Sequence, residues 1–130
     1  MTQELLSEVK VLDVTHGVAG PFCTKILADL GAEVLKIEEP GGGDPARGMG
    51  PFPGDEPHPE RSGLFLYLNM NKKGVTLNLN SAAGAKIFKK LVQTSDVVAA
   101  SGDSEEGAST FCELPFVGFS FARSASSSGV

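Results

Sequence analysis

The chain is poor in the residues that build covalent or metal-held frameworks. Its two cysteines, Cys23 and Cys112, and its two histidines are too few and too scattered for a disulfide scaffold or a zinc site, and no C-x-x-C pair occurs. Both thiols are expected to be free and buried, in a reducing compartment. No apolar stretch approaches the roughly 18–20 residues that span a bilayer. The opening segment, Met1 to Lys10, lacks the basic-then-apolar order of a secretory signal. A cytoplasmic protein with no membrane partner is therefore expected. Cationic charge is scarce as well: 11 Lys and Arg against 16 Asp and Glu give a net charge of −5. That balance supplies no field to draw a phosphate backbone, so nucleic acid is not an expected partner. A Ser–His–acid combination, a metal-ligand cluster and an internal repeat are all missing.

What is present is enough apolar material, 41% of 130 residues, for the core of one small domain or part of a larger one. Lys10-Val11-Leu12-Asp13-Val14 reads as a strand and runs into the turn-like Thr15-His16-Gly17. Pro21 suits the first turn of a helix, whose early N–H groups have no partner in any case. Phe22, Ile26, Leu27 and Leu30 then recur at helical spacing, and Gly31 ends the run as a C′ residue should. Residues 32–38 read as a second strand. Strand, helix, strand in that order predicts a crossover that packs one amphipathic helix on two parallel strands.

Residues 39–63 are rich in Gly and Pro and exceed the roughly 12–15 residues of an ordinary connection, which points to a functional loop. Leu64 to Leu68 fits a helix turn or a strand. The polar turn at residues 69–74 leads into Val75-Thr76-Leu77-Asn78-Leu79, whose alternation predicts a half-exposed strand. Asn80 or Ser81 is placed to cap a helix with Ile87, Phe88, Leu91 and Val92 on one face and Lys86, Lys89 and Lys90 outside. Asp96 to Ala100 predicts a further parallel strand. The expected fold is α/β, a Rossmann-like parallel sheet of at least four strands with flanking helices. After residue 98 the pattern breaks into an acidic Ser/Gly loop, an aperiodic apolar stretch and a Ser-rich end. Two units are expected: residues 1–98, and a divergent, poorly ordered tail at 99–130.

Chemistry is sought where parallel strands end. The loop His16-Gly17-Val18-Ala19-Gly20-Pro21 joins a strand to a helix N-terminus, where exposed N–H groups and the helix dipole favour an anion such as a pyrophosphate. Gly17 and Gly20 do not form G-x-G-x-x-G, so a plain tight turn is an open alternative. His16 would serve as a general base or, more simply, would line a cofactor pocket. Arg47 and Lys72 are candidate phosphate partners, with solvated surface cations as the alternative. Glu38 and Glu39 end the second strand, where an acidic residue can accept from a ribose hydroxyl.

Four stretches together resemble the family III CoA-transferases, the CaiB/BaiF group that includes formyl-CoA transferase and α-methylacyl-CoA racemase. They are Val11 to His16 with Ala19 to Phe22, Leu27 to Glu38, Gly42 to Arg47, and Asn69 to Leu79. The resemblance runs over residues 8–98. It implies a Rossmann-like domain that holds coenzyme A as substrate, within a homodimer of interlocked subunits. It maps CoA contacts onto Gly17, Val18 and Ala19 and onto the segment Leu77 to Asn80. Glu39 and Asn80 stand where some members carry basic residues, which removes positive charge from the phosphate side.

The resemblance further implies an acyl-CoA and a carboxylic acid as partners, and a family aspartate that forms a mixed anhydride and then a CoA thioester. No residue of this chain maps to that aspartate, so no catalytic residue and no metal ligand is assigned, and the chain alone is expected to be inactive. Two further readings stay open: an acyl-CoA racemase or epimerase relative, and a non-catalytic fragment that partners a full-length subunit.

Overall fold

The computed structural model describes residues 4–101 and the backbone of a strand at 120–123. Four parallel strands form the sheet: β1 (Lys10–Asp13), β2 (Glu33–Glu38), β3 (Lys73–Thr76) and β4 (Val97–Ala100). Helix α1 (Ala19–Asp29) joins β1 to β2, α2 (Gly63–Leu68) precedes β3, and α3 (Ala82–Gln93) joins β3 to β4. A last strand, β5 (Ser120–Arg123), lies antiparallel to β4, giving the order β3-β2-β1-β4-β5. The fold is α/β with a Rossmann-like parallel sheet, as the alternation of elements predicts. Residue 98 lies inside β4, and the backbone of β5, within the segment 99–130 expected to be a divergent, poorly ordered tail, pairs with β4. The remainder of that segment, 102–119 and 124–130, with Cys112 and the Ser-rich end, lies outside the described residues.

Alternation along the strands builds two cores. Val11 of β1 and Val34 of β2 meet Ala28 and Ala32 on the α1 side, while Leu12 and Ile37 meet Phe88 and Val98 on the α3 side. Leu77, Leu79, Leu91 and Val92 pack against the second cluster. The predicted faces hold in part, with Leu27 packed on the first cluster and Phe88, Leu91 and Val92 in the second. Helix α1 buries its small residues Gly20, Thr24 and Ala28, while Phe22, Ile26 and Leu30 are exposed. The cause is proximity: a Cβ at Gly20 would stand 2.4 Å from Thr15 Cβ, so the helix lies too close to the β1 loop to seat large side chains between them. On α3, Phe88 is buried but Ile87 is exposed.

Turn chemistry sets the ends. Gly31 (φ +102) closes α1 with a Schellman pattern, its N–H donating to Ala28 O at 3.0 Å and that of Ala32 to Leu27 O at 3.0 Å. Ser81, rather than Asn80, caps α3 and accepts from the Gly84 N–H at 3.0 Å. The third strand begins earlier than its alternation predicts, at Lys73, because residues 73–76 hold register with Leu35–Glu38 while Leu77 and Leu79 turn into the core.

Candidate functional site

Because β1 to β4 are parallel, their C-terminal ends gather on one rim. There the loop after β1 (His16 to Ala19) meets Glu39 after β2, Leu77 to Asn80 after β3, and Ser101 after β4. The chain runs from β1 to β2 on one side and returns past β1 to β4 on the other, so the switch point of the sheet lies between β1 and β4. Ser101 bridges it: its Oγ accepts from the His16 backbone N–H at 3.3 Å and stands 3.3 Å from His16 Nδ1.

The mouth of α1 opens onto this rim. Val18, the residue before the helix, makes no side-chain cap, and the first turn carries no acidic residue. The early N–H groups and the positive end of the dipole are thus uncompensated by side chains. Val18 and Ala19 are exposed. Gly17 adopts φ +80, and no atom lies within 4 Å of where its Cβ would be, so the backbone there is open to close approach.

Beneath the rim lies a group of buried charges that sequence reasoning missed in part. Asp13, wholly buried, accepts from Thr15 N–H at 2.9 Å, Thr15 Oγ1 at 2.6 Å and Thr24 Oγ1 at 2.6 Å. Lys72 Nζ joins it at 3.0 Å and also donates to Pro21 O at 2.8 Å and Asn69 Oδ1 at 2.9 Å. Asp13 stands in register with Lys36, which is 2% exposed. Lys36 Nζ donates to Thr15 O at 2.8 Å and pairs with Asp44 Oδ2 at 2.9 Å. Asp44 Oδ1 in turn accepts from the N–H groups of Gly17 at 3.0 Å and Ala46 at 2.9 Å. Two cations and two carboxylates thus close on one another with no net charge.

The environment shifts these groups. Burial pushes the Asp44 carboxyl up, but the Lys36 ammonium and the N–H groups of Ala46 and Gly17 outweigh it and leave the group below the usual carboxylate range. Burial lowers the Lys72 ammonium despite the opposing charge of Asp13. The Arg47 guanidinium, bonded to Glu38 at 2.7 Å (Nε) and 2.8 Å (Nη2), holds the Glu38 carboxyl low. Arg47 also donates to Glu60 Oε1 at 3.2 Å and lies 3.8 Å from the centroid of the Phe65 ring.

The expected site residues therefore separate into two sets. His16, Gly17, Val18, Ala19, Glu39, Leu77 and Asn80 share the rim, with Asn80 Nδ2 donating to Glu39 Oε1 at 3.2 Å. Arg47 and Lys72, expected to face phosphate, are directed onto internal carboxylates; the Lys72 side chain is only 1% exposed. The signal for the buried set was available. Asp13 and Lys36 interrupt otherwise apolar strand positions, and Asp44 precedes a proline as an N-cap residue does. Among the described residues no group of three or more His, Cys, Asp or Glu is placed to hold a metal ion, and no helix is long and apolar enough to cross a membrane.

Sequence comparison decides the family. The pattern of CoA-transferase family III matches residues 6–108, most of the chain. The chain belongs to that family. It is 47% identical over 93 residues to human succinyl-CoA:glutarate CoA-transferase, covering 71% of this chain and 20% of that protein. Against the acetyl-CoA:oxalate CoA-transferase of Acetobacter aceti it is 44% identical over 89 residues, 68% of this chain and 22% of the relative. Its fold is similar to a CaiB/BaiF family protein from Brucella suis (TM-score 0.72, 28% identity, 88% of this chain and 30% of the other). A hypothetical protein from Mycobacterium tuberculosis is also similar (TM-score 0.63, 38% identity, 74% and 25%). The chain spans about one fifth of the length of the curated relatives it matches.

Proposed function

We propose that this family III chain supplies the coenzyme A-binding part of an enzyme that moves CoA from an acyl-CoA to a carboxylic acid. The observation that carries the reading is the uncapped mouth of α1, opened by Gly17 at the switch point of the sheet. An anionic group fits there: the first-turn N–H groups have no side-chain cap among the described residues, the dipole favours negative charge, and Gly17 leaves room for close approach. The backbone of Val18 and Ala19 receives the phosphates of CoA, His16 lines the pocket, and Glu39 with Leu77 to Asn80 borders the nucleotide end. Arg47 and Lys72 shape the loops from behind. Residues 1–98 form the binding part; turnover requires the family's acyl-carrying aspartate, to which nothing in this span corresponds.

Calorimetric titration of the purified chain with CoA tests the reading. Ala19→Glu places a carboxylate in the first turn of α1, where it favours the helix but repels phosphate. CoA affinity should fall by about tenfold or more while the melting temperature holds or rises. A native chain that binds no CoA, or a variant that binds it as well as the native chain, would overturn the assignment.

The outward stripe of α1 and α2 favours a companion reading. Val18, Phe22, Ile26 and Leu30 lie four residues apart along one side, and Leu66, Tyr67 and Met70 are exposed as well. Two chains pairing through this stripe would bury it; the homodimer that the resemblance implies for the full-length family is one of interlocked subunits, and this stripe is proposed as one of its contacts. Native mass spectrometry of the chain and of Phe22→Glu should show dimer for the first and monomer for the second.

A further inference from the structure

The loop that faces the proposed ligand does not hold itself. On its outer side nothing lies within 4 Å of the space beside Gly17. Its N–H points inward instead, to Asp44 Oδ1 at 3.0 Å. Asp44 is contributed by the loop after β2, twenty-seven residues further along, and its side chain is 1% exposed. Oδ1 takes the N–H groups of Gly17 and Ala46, while Oδ2 stands 2.9 Å from Lys36 Nζ as an ion pair and accepts no hydrogen bond of good geometry. Lys36 holds the carbonyl of Thr15 at 2.8 Å. One ion pair thus grips the β1 loop at two points, Thr15 and Gly17, on either side of His16. Asp44 is itself fixed, since its N–H donates to Glu38 Oε2 at 2.9 Å, the oxygen that Arg47 also binds.

We propose that Asp44 is a positioning residue for the anionic ligand: it draws the Gly17 amide inward and so aims the N–H groups of the exposed Val18 and Ala19 at the mouth of α1. The inference rests on the CoA-binding reading above. A bare carboxylate beside a phosphate site would repel its ligand. Here Lys36 neutralises it at 2.9 Å, so the loop gains a fixed acceptor without gaining net negative charge. It follows that the Gly17 N–H belongs to the protein in both the free and the bound state, and that Gly17 meets the ligand only through its bare Cα.

Amide hydrogen exchange of the native chain, followed by NMR, tests this directly. The Gly17 amide should be protected before CoA is added and equally protected at saturation; an amide that exchanges freely until CoA arrives would show that the ligand holds it, and would overturn the inference. Two variants add a binding readout. In Asp44→Ala the Gly17 amide loses protection and the Kd for CoA rises by about tenfold, the scale of one misplaced hydrogen-bonding group. Asp44→Asn keeps an oxygen for Gly17 but loses the ion pair. It should melt at a lower temperature yet retain Gly17 protection and bind CoA within about threefold of native. Binding rescued without rescue of stability is what a purely structural role would not give. Native CoA affinity in a folded Asp44→Ala, or in an Asp44→Asn that has lost Gly17 protection, refutes the role. A native chain that binds no CoA refutes the functional reading instead, so the two failures are told apart.

Discussion

Replacing Lys72 with methionine probes the buried charges under the rim. The substitution keeps the unbranched apolar stem and removes an ammonium that meets Asp13 Oδ2, Pro21 O and Asn69 Oδ1 at 3.0, 2.8 and 2.9 Å. Asp13 would remain wholly buried with its charge unpaired. Removing one partner of a buried pair costs about 3–5 kcal/mol. Two features place this case at the lower end. Asp13 keeps three donors, from Thr15 N–H, Thr15 Oγ1 and Thr24 Oγ1. In addition, burial lowers the Lys72 pKa, so the folded chain holds that proton less tightly than the unfolded chain does, and methionine removes this standing cost. The expected loss is about 3 kcal/mol, a large share of the roughly 5–15 kcal/mol of an ordinary domain.

The chain has no tryptophan, so urea unfolding is followed by far-UV circular dichroism. Adding Asp13→Asn to Lys72→Met removes the orphaned charge and should restore about 1–2 kcal/mol, a coupling that only contacting residues show. A single variant within about 1 kcal/mol of native, or a double variant no better than the single one, would refute the idea that Asp13 depends on Lys72.

Gly84→Ala should destabilise the chain by about 1–3 kcal/mol in thermal melts, because the new Cβ would stand 1.8 Å from the backbone oxygen of Asn78. Loss of the α3 cap in Ser81→Ala should cost about 1 kcal/mol, while Asn80→Ala, whose side chain donates to exposed Glu39, should leave the melting temperature nearly unchanged. In acid, Glu38 and Asp44 act together: both are held below the usual carboxylate range in the folded chain. Their contribution is therefore complete above an ordinary carboxylate pKa of about 4 and lost as pH falls below it. Arg47→Met removes the main cause of the Glu38 shift, so acid titration followed by circular dichroism should show a shallower loss of stability for that variant.

Much of the fold was legible in the residues alone. The order of strands and helices follows from runs of β-branched and apolar residues punctuated by Gly31 and Ser81, whose roles are local: one tolerates φ +102, and the other supplies a hydroxyl to the N–H of Gly84. The placement of the loop after β1 at the rim was legible for the same reason, since a loop between a parallel strand and a helix must present N–H groups at that edge. What spacing cannot convey is which side of a helix faces the sheet when small residues compete with large ones. In α1, periodicity favoured Phe22, Ile26 and Leu30, but close approach at Gly20 and the bond from Thr24 to Asp13 turned the other side inward.

The fate of the cations was likewise decided in three dimensions. Arg47 and Lys72 are indistinguishable in sequence from solvent-facing, phosphate-binding residues. Only the pairing of Asp13 with Lys36 in register, and the return of the Gly-rich loop over the end of β1, bring carboxylates from distant positions within 3 Å of lysine ammonium groups. Local sequence determines conformations and therefore elements. Desolvation of a charge depends on everything packed around it, and so tertiary structure alone paired each of these cations with a carboxylate of the protein.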